Sequence, residues 1–260
     1  MMDINDLVFT YNKKKVLDNV TFDIRQGEIL GILGMNGCGK TTLLKNLNKN
    51  LEPDAGAILL EGDDMEEMPK RSIAQKIAVV PQGNEIKFAF TVKDIVSMGR
   101  IPFLSTFSGE SSEDVKIIED AIEMTGLEEY RDRYINTMSG GERQRVIIAR
   151  ALAQTPKIIL MDEPTLHLDI NMQFEALDLV YKLSREKGLT VVIVSHDLPL
   201  VARYCDRIIM LKDKKIFAMG EPEEVLTSEN IREVFRVDGE LSTDFKTGKR
   251  TVLLHGSIID

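Results

Sequence analysis

The sequence predicts an α/β fold with a mostly parallel sheet, an antiparallel β-segment at the N-terminus and an inserted helical segment. Three observations lead there. Apolar runs at Ile29–Leu33, Ile158–Met161 and Val191–Val194 have the length and character of strands buried on both faces, and they alternate with helical patterns. The first residues show period two instead, with Val20, Phe22 and Ile24 alternating with Thr21, Asp23 and Arg25. From Thr91 to about Glu129 the spacing becomes helical, and Val115, Ile118 and Ile122 share a face.

Taken in order, Ile4 to Tyr11 and Val16 to Ile24 read as two arms of an antiparallel pair, with Asn12 and the run Lys13–Lys15 as a solvated tip. Gly27-Glu28 turns the chain into Ile29–Leu33, and a glycine-rich turn leads to a helix from about Lys40. Pro53-Asp54-Ala55-Gly56 reads as a turn, Ala57–Leu60 as a strand, and Ile77–Val80 as another that ends at Pro81-Gln82. Ser111-Ser112-Glu113 is a helix start. Residues 142–154 read as a helix and Ile158–Met161 as a strand. A helix at 171–187 turns Met172, Ala176, Leu179, Val180 and Leu183 inward and stops at Gly188. Thr190–Ser195 is a strand, and Ile208–Leu211 with Ile216–Met219 a hairpin. The end of the chain sets Lys246-Thr247-Gly248-Lys249 between strand-like runs. The expected organisation is one domain over 1–260, with a helical insertion at roughly 84–140 and a C-terminal tail at roughly 226–260.

Composition narrows the function classes. A chain of 260 residues fits one large α/β domain or two small ones. The net charge of −9 argues against binding nucleic acid or anionic lipid through bulk charge. No apolar run reaches the roughly 18–20 residues of a membrane helix, so membrane association is expected through a protein partner. The N-terminal residues show no basic segment followed by an apolar one, and no signal peptide is expected. Two cysteines, Cys38 and Cys205, are too few for a disulfide framework and fit a reducing cytoplasm.

Three local patterns carry chemistry. Gly34-Met35-Asn36-Gly37-Cys38-Gly39-Lys40-Thr41 matches G-x-x-x-x-G-K-[ST] between a buried strand and a helix, the phosphate loop of the P-loop NTPases. Glycines let backbone N–H groups wrap a phosphate chain, and the helix start adds a positive dipole end. Lys40 supplies a full charge to the β- and γ-phosphates, and the Thr41 hydroxyl is placed to ligate Mg²⁺. The second pattern is Ile158-Ile159-Leu160-Met161-Asp162-Glu163, a buried strand ending in two acids where ligands of open α/β sheets sit. Asp162 is the candidate Mg²⁺ holder and Glu163 the candidate to orient or deprotonate the attacking water. The third is Ser139-Gly140-Gly141-Glu142, a capped helix start whose glycines leave N–H groups uncovered, hence a second anion site.

Met138-Ser139-Gly140-Gly141-Glu142 resembles the LSGGQ signature of ATP-binding cassette (ABC) ATPases. The order phosphate loop, signature, Asp-Glu strand and a lone His resembles that family over roughly residues 3 to 225. The resemblance implies the ABC ATPase fold on a P-loop NTPase core, with ATP and Mg²⁺ as cofactors. It implies an ATPase in which Glu163, His196 and Gln82 are catalytic, Gln82 also touching the metal with Thr41 and Asp162. Tyr11 is then the adenine-stacking aromatic, and Gly34, Asn36, Gly37, Cys38, Gly39, Lys40, Thr41 and Thr42 cradle the phosphates. Ser139, Gly140, Gly141 and the D-loop residue Asp169 reach across to the nucleotide of a second copy. His167 and His255 read as structural or solvated. By resemblance, ATP is held between two head-to-tail copies and their closure drives membrane partners. Met35, Cys38 and Glu142 depart from the usual Pro, Ser and Gln; Cys38 suggests sensitivity to thiol alkylation, and Glu142 is expected to point away from triphosphate.

The text around Met98-Gly99-Arg100-Ile101-Pro102, Glu128–Arg133, Glu142–Ala151 and His167–Ile170 looks like the iron-siderophore, haem and cobalamin importer branch. That branch implies separate permease subunits that hold the protein peripherally at the cytoplasmic face of the membrane, an external substrate-binding protein acting indirectly, and no nucleic acid. The segment at roughly 83–110 would receive the permease. The alternatives are the ATPase of an ABC exporter or of another importer branch, such as molybdate or zinc/manganese. A DNA-repair ABC ATPase would carry a long coiled coil, a translation-associated one a second cassette, and a nucleotide-sensing module no need of Glu163 and His196.

Overall fold

Period-two patterning at the N-terminus forms the antiparallel pair β1 (Met2–Tyr11) and β2 (Lys14–Ile24), with Met2 opposite Ile24 and Tyr11 opposite Lys14. The computed structural model describes residues 1–83, 88–104 and 109–258. The chain divides into two units, Met1–Met68 with Thr190–Asp260, and Pro69–Leu189. In the first unit β3 (Ile29–Leu33) is wholly buried and leads through the glycine-rich turn into α1 (Lys40–Leu47). β4 (Ala55–Leu60) then pairs with the free side of β1, and β5 (Asp63–Asp64) pairs with β4.

β4 begins at Ala55, two residues before the expected start, so Ala55-Gly56 are strand and not turn. The cause is a bulge in β1. Asp6 has φ 49° and pairing shifts between Asn5 and Val8. A side chain at Gly56 would lie 2.4 Å from Asn5 O, so only glycine lets the two backbones approach here.

The second unit contains α2 (Lys70–Ala74), β6 (Ile77–Val80), α3 (Val92–Ser97), α4 (Ser112–Met124), α5 (Gly140–Ala153), β7 (Ile158–Asp162) and α6 (Ile170–Lys187). β6 and β7 run parallel, with Val80 opposite Met161. The helical stretch predicted from Thr91 is two helices, each started by a capping box, from Thr91 with Asp94 and from Ser111 with Asp114. Met98–Arg100 adds a 3₁₀ turn after α3. In α6, Ala176, Val180 and Leu183 are buried as predicted; Leu177 is buried too, while Met172 and Leu179 are only half-buried. The apolar stripe is therefore rotated toward Leu177.

The chain returns to the first unit with β8 (Thr190–Ser195), α7 (Leu198–Tyr204), β9 (Arg207–Lys212) and β10 (Lys215–Gly220). β3 lies between β8 and β9, parallel to both, and β10 closes antiparallel on β9. α8 (Pro222–Val225) and α9 (Ser228–Phe235) follow, and the strand-like runs expected around Lys246–Lys249 are β11 (Val237–Thr243) and β12 (Arg250–Ser257), which pair antiparallel.

One buried ion pair ties the helical segment together. Arg100 is 5% exposed; its Nε donates to Asp114 Oδ1 at 2.8 Å and its Nη1 to Ala153 O at 2.9 Å. Asp114 Oδ2 accepts from Ser111 N at 2.9 Å. The Ser111 hydroxyl and N–H, and then Arg100, hold the Asp114 carboxyl down at about 2. A carboxyl depressed in the fold contributes stability above its unfolded pKa of about 4 and loses it as pH falls toward 2. Asp114→Ala is expected to cost about 3 kcal/mol, because it strands a buried guanidinium and removes a cap. Urea unfolding at several pH values checks this: the gap between parent and variant should be full at pH 7 and shrink between about pH 4 and pH 2.

Candidate nucleotide-binding site

In the first unit the parallel pairing places Leu33 opposite Ser195, so Gly34 and His196 leave the same ends of adjacent strands. The loop that follows β3 needs its glycines. Gly34, Gly37 and Gly39 have φ of 155°, 80° and 112°. A Cβ on Gly34 would also meet Cys38 Sγ and Leu211 O, each at 2.6 Å. Gly39 is the N-cap of α1 and brings no side chain to its first turn, which also carries no acid. Backbone N–H groups at such a start suit an anion. Lys40 is 6% exposed; its Nζ donates to Gly34 O at 2.7 Å and to Met35 O at 3.3 Å, so the ammonium sits inside the loop's own curve. Thr41 is half-buried and Thr42 buried, and Asn46 Nδ2 donates to Thr42 O at 2.8 Å. Asn36 is exposed.

Met35 is exposed, but Cys38 is half-buried with Sγ against Gly34. Burial pushes the Cys38 thiol up, against the opposing pull of Lys40. Tyr11 ends β1, is 42% exposed and packs edge-on against Phe9 at 4.8 Å, which leaves ring surface for stacking. His196 is exposed, and the turn after it is built by Ser195 and Asp197. Asp197 N donates to Ser195 Oγ at 3.0 Å, and Asp197 Oδ1 accepts from Leu200 N at 2.9 Å to cap α7. Sequence reasoning missed this support, although Asp197 two residues before Pro199 is a legible helix start.

In the second unit the register of β6 and β7 sets Gln82 and Glu163 level with each other, each two residues beyond the pair Val80 and Met161. Asp162 ends β7 and is buried. Glu163 is 9% exposed and takes φ 47°, in the left-handed region. That backbone state costs a glutamate on the order of 1 kcal/mol and is held by a turn in which Leu166 N donates to Glu163 O at 3.1 Å. Gln82 is exposed. Asp169 is the exposed N-cap of α6, and Gln173 Nε2 donates to Leu168 O at 3.0 Å.

Ser139 is the N-cap of α5, which starts two residues before the expected 142. Ser139 Oγ accepts from Glu142 N at 3.3 Å, and Ser139 N donates to Glu142 Oε2 at 2.7 Å. Glu142, where the signature has glutamine, closes a capping box with its carboxylate turned back onto the helix start. Gly141 faces Met172 of α6 so closely that a Cβ would lie 2.3 Å from its sulfur, and a Cβ on Gly140 would lie 3.5 Å from Leu168. The Ser139–Gly141 start and the Leu168–Asp169 turn are therefore neighbours. The phosphate loop and His196 thus belong to one unit, and Gln82, Asp162, Glu163, the signature and Asp169 to the other.

The Ser139 N–H, first among its causes, holds the Glu142 carboxyl below the usual range. Its contribution to stability is therefore present above pH of about 4 and lost below it. Glu142→Ala is expected to lower the unfolding free energy on the order of 1 kcal/mol at neutral pH, and Glu142→Gln to keep most of the cap because an amide oxygen accepts the same N–H. Denaturant unfolding of both variants at pH 7 checks the ranking.

The ABC transporter family profile matches residues 17–166. The chain is 39% identical over 255 residues to the petrobactin import ATP-binding protein FpuD of Bacillus anthracis, covering 98% of this chain and 93% of that one. It is 39% identical over 248 residues to the iron(3+)-hydroxamate import ATP-binding protein FhuC of Bacillus subtilis, covering 95% and 92%. Its fold matches an inward-facing ABC transporter described as of metal-chelate type with TM-score 0.86 at 31% identity, over 98% of this chain and 97% of that chain. A dimeric bacterial ABC transporter cassette, MJ0796, matches with TM-score 0.74 at 31% identity, over 85% and 99%. With the phosphate loop, the Asp-Glu strand and the signature all in place, the chain belongs to the ABC transporter family, as one of its ATP-binding, ATP-hydrolysing subunits.

Proposed function

We propose that this protein energises import of a metal chelate, of the iron-siderophore, haem or cobalamin kind, as a pair of identical subunits docked on a membrane permease. The observation that carries the reading is a pair of glycine-bearing helix starts in one chain, Gly39-Lys40 with no side-chain cap and Ser139-Gly140-Gly141 with a capping box that engages only Ser139 and Glu142. Two anion sites per chain suit a head-to-tail pair in which each ATP lies between the phosphate loop of one copy and the signature of the other. The relatives named for petrobactin and hydroxamate import support the substrate class. No helix among the described residues is long and apolar enough to cross a membrane. The expected permease groove at 83–110 falls partly on 84–87 and 105–108, outside the described residues. Phe88 and Ile101 on either side are 72% and 61% exposed, surface suited to a docking helix. An external binding protein would deliver the chelate to that permease.

In this reading the roles are as follows. Backbone N–H groups from Gly34 to Thr42 and the Lys40 ammonium bind the phosphates, and Tyr11 stacks on adenine. Thr41, Asp162 and Gln82 offer hard oxygen donors, the set that suits Mg²⁺, which neutralises phosphate charge when bound. Glu163 takes a proton from the attacking water and His196 meets the γ-phosphate. Asp169 lies across the subunit boundary with Ser139 to Gly141. ATP favours the closed pair and hydrolysis the open one, and this difference moves the permease.

Two measurements test the proposal. Tagged protein purified from its own cells in mild detergent should bring down a polytopic permease together with a lipid-anchored binding protein. A permease with no binding protein, in cells that expel the substrate, would favour an exporter instead. Glu163→Gln should bind ATP as the parent does yet hydrolyse it roughly 10²–10⁴-fold more slowly, as for a lost general base; full turnover would remove Glu163 from the role.

A further inference from the structure

Glu142 places a carboxylate at the helix start that, on the reading above, faces the triphosphate held by the partner copy, where like charges repel. Arg133 lies against it, with Nη1 3.7 Å from Glu142 Oε1. This arginine is held on several sides. Its Nη2 donates to Thr137 O at 2.7 Å and its Nε to Thr137 Oγ1 at 3.3 Å, and the guanidinium lies 5.6 Å from the centre of the Tyr130 ring. Its backbone is fixed as well. Arg133 N donates to Tyr130 O at 2.9 Å, Val92 N to Arg133 O at 3.0 Å, and Ile135 N to Phe90 O at 2.9 Å. A lone half-exposed ion pair contributes little to stability. A guanidinium held in this way is better suited to fixing one carboxylate geometry.

We propose that Arg133 is a positioning residue for the signature, keeping the Glu142 carboxylate on the Ser139 N–H and cancelling its charge so that Ser139 and the start of α5 can face a triphosphate. The proposal rests on the two-copy nucleotide reading. Without Arg133 the carboxylate keeps its contacts with Ser139 and Tyr130 but loses the cation beside it. Closure of the pair on ATP then weakens, while ATP binding to the phosphate loop of the same chain stays as it was.

The test is a double-mutant cycle on the full-length protein, read by steady-state ATP hydrolysis and by ATP binding to the Glu163→Gln background. Arg133→Gln is expected to lower hydrolysis about tenfold and to raise the half-saturating ATP concentration, the scale of one uncompensated charge in a partly screened site. ATP affinity of the single subunit and the melting temperature should stay close to the parent values. Adding Glu142→Gln should restore most of the lost rate, with Glu142→Gln alone closing the cycle, and Arg133→Lys, which keeps the charge but loses the planar fork, should fall between the parent and Arg133→Gln. A double variant as slow as Arg133→Gln, or an Arg133→Gln protein as fast as the parent, would overturn the proposal. The underlying reading has its own control: Ser139→Arg chains mixed with parent chains should slow the mixture more than in proportion. If that mixing effect is missing, the two-copy reading fails; if it is present while the cycle shows no coupling, only the role of Arg133 fails.

Discussion

The register between parallel strands fixes where the groups proposed to face the nucleotide can be. Leu33 stands opposite Ser195, so the phosphate loop and His196 emerge level with each other. Val80 stands opposite Met161, which does the same for Gln82 and the Asp162-Glu163 pair. A slip of one residue along either pairing would displace a group by about 3.3 Å, more than a hydrogen bond tolerates. These strands are buried along nearly their whole length, and burial is what makes such slips costly. The hydrophobic core thus bears directly on the proposed chemistry, by setting which residue is the first to leave each strand.

Beyond the strand ends the chain uses helix starts in two ways. At α1 the cap is Gly39, which has no side chain, and the Lys40 ammonium is folded into the loop. At α5 the cap is a reciprocal pair that uses the N–H groups of Ser139 and Glu142, so an anion there would meet Gly140 and Gly141. The first start is suited to gripping a phosphate chain, the second to touching it from outside. On the proposed two-copy reading, this asymmetry suits a partner that must come and go.

The sequence made the buried strands and the glycine loop legible because each is a local pattern. Ile29–Leu33, Ile158–Met161 and Thr190–Ser195 were expected within a residue of their observed limits. Ala55-Gly56 were misread as turn because the reason for Gly56 lies in another strand, at the bulge around Asp6. Leu177 was missed in α6 because the buried face depends on which helix packs there, and Met172 is drawn toward Gly141. The supports of the site were least legible. The Ser195–Asp197 turn and the Arg133–Glu142 contact are side-chain geometries that follow from the surrounding packing.

The left-handed backbone at Glu163 sets the goals of durability and work against each other. Glycine and asparagine adopt that conformation with less strain than glutamate does. Directed evolution for heat resistance alone would therefore be drawn to this position and, on the role proposed for the carboxylate, would enrich clones that melt a few degrees higher and consume no fuel.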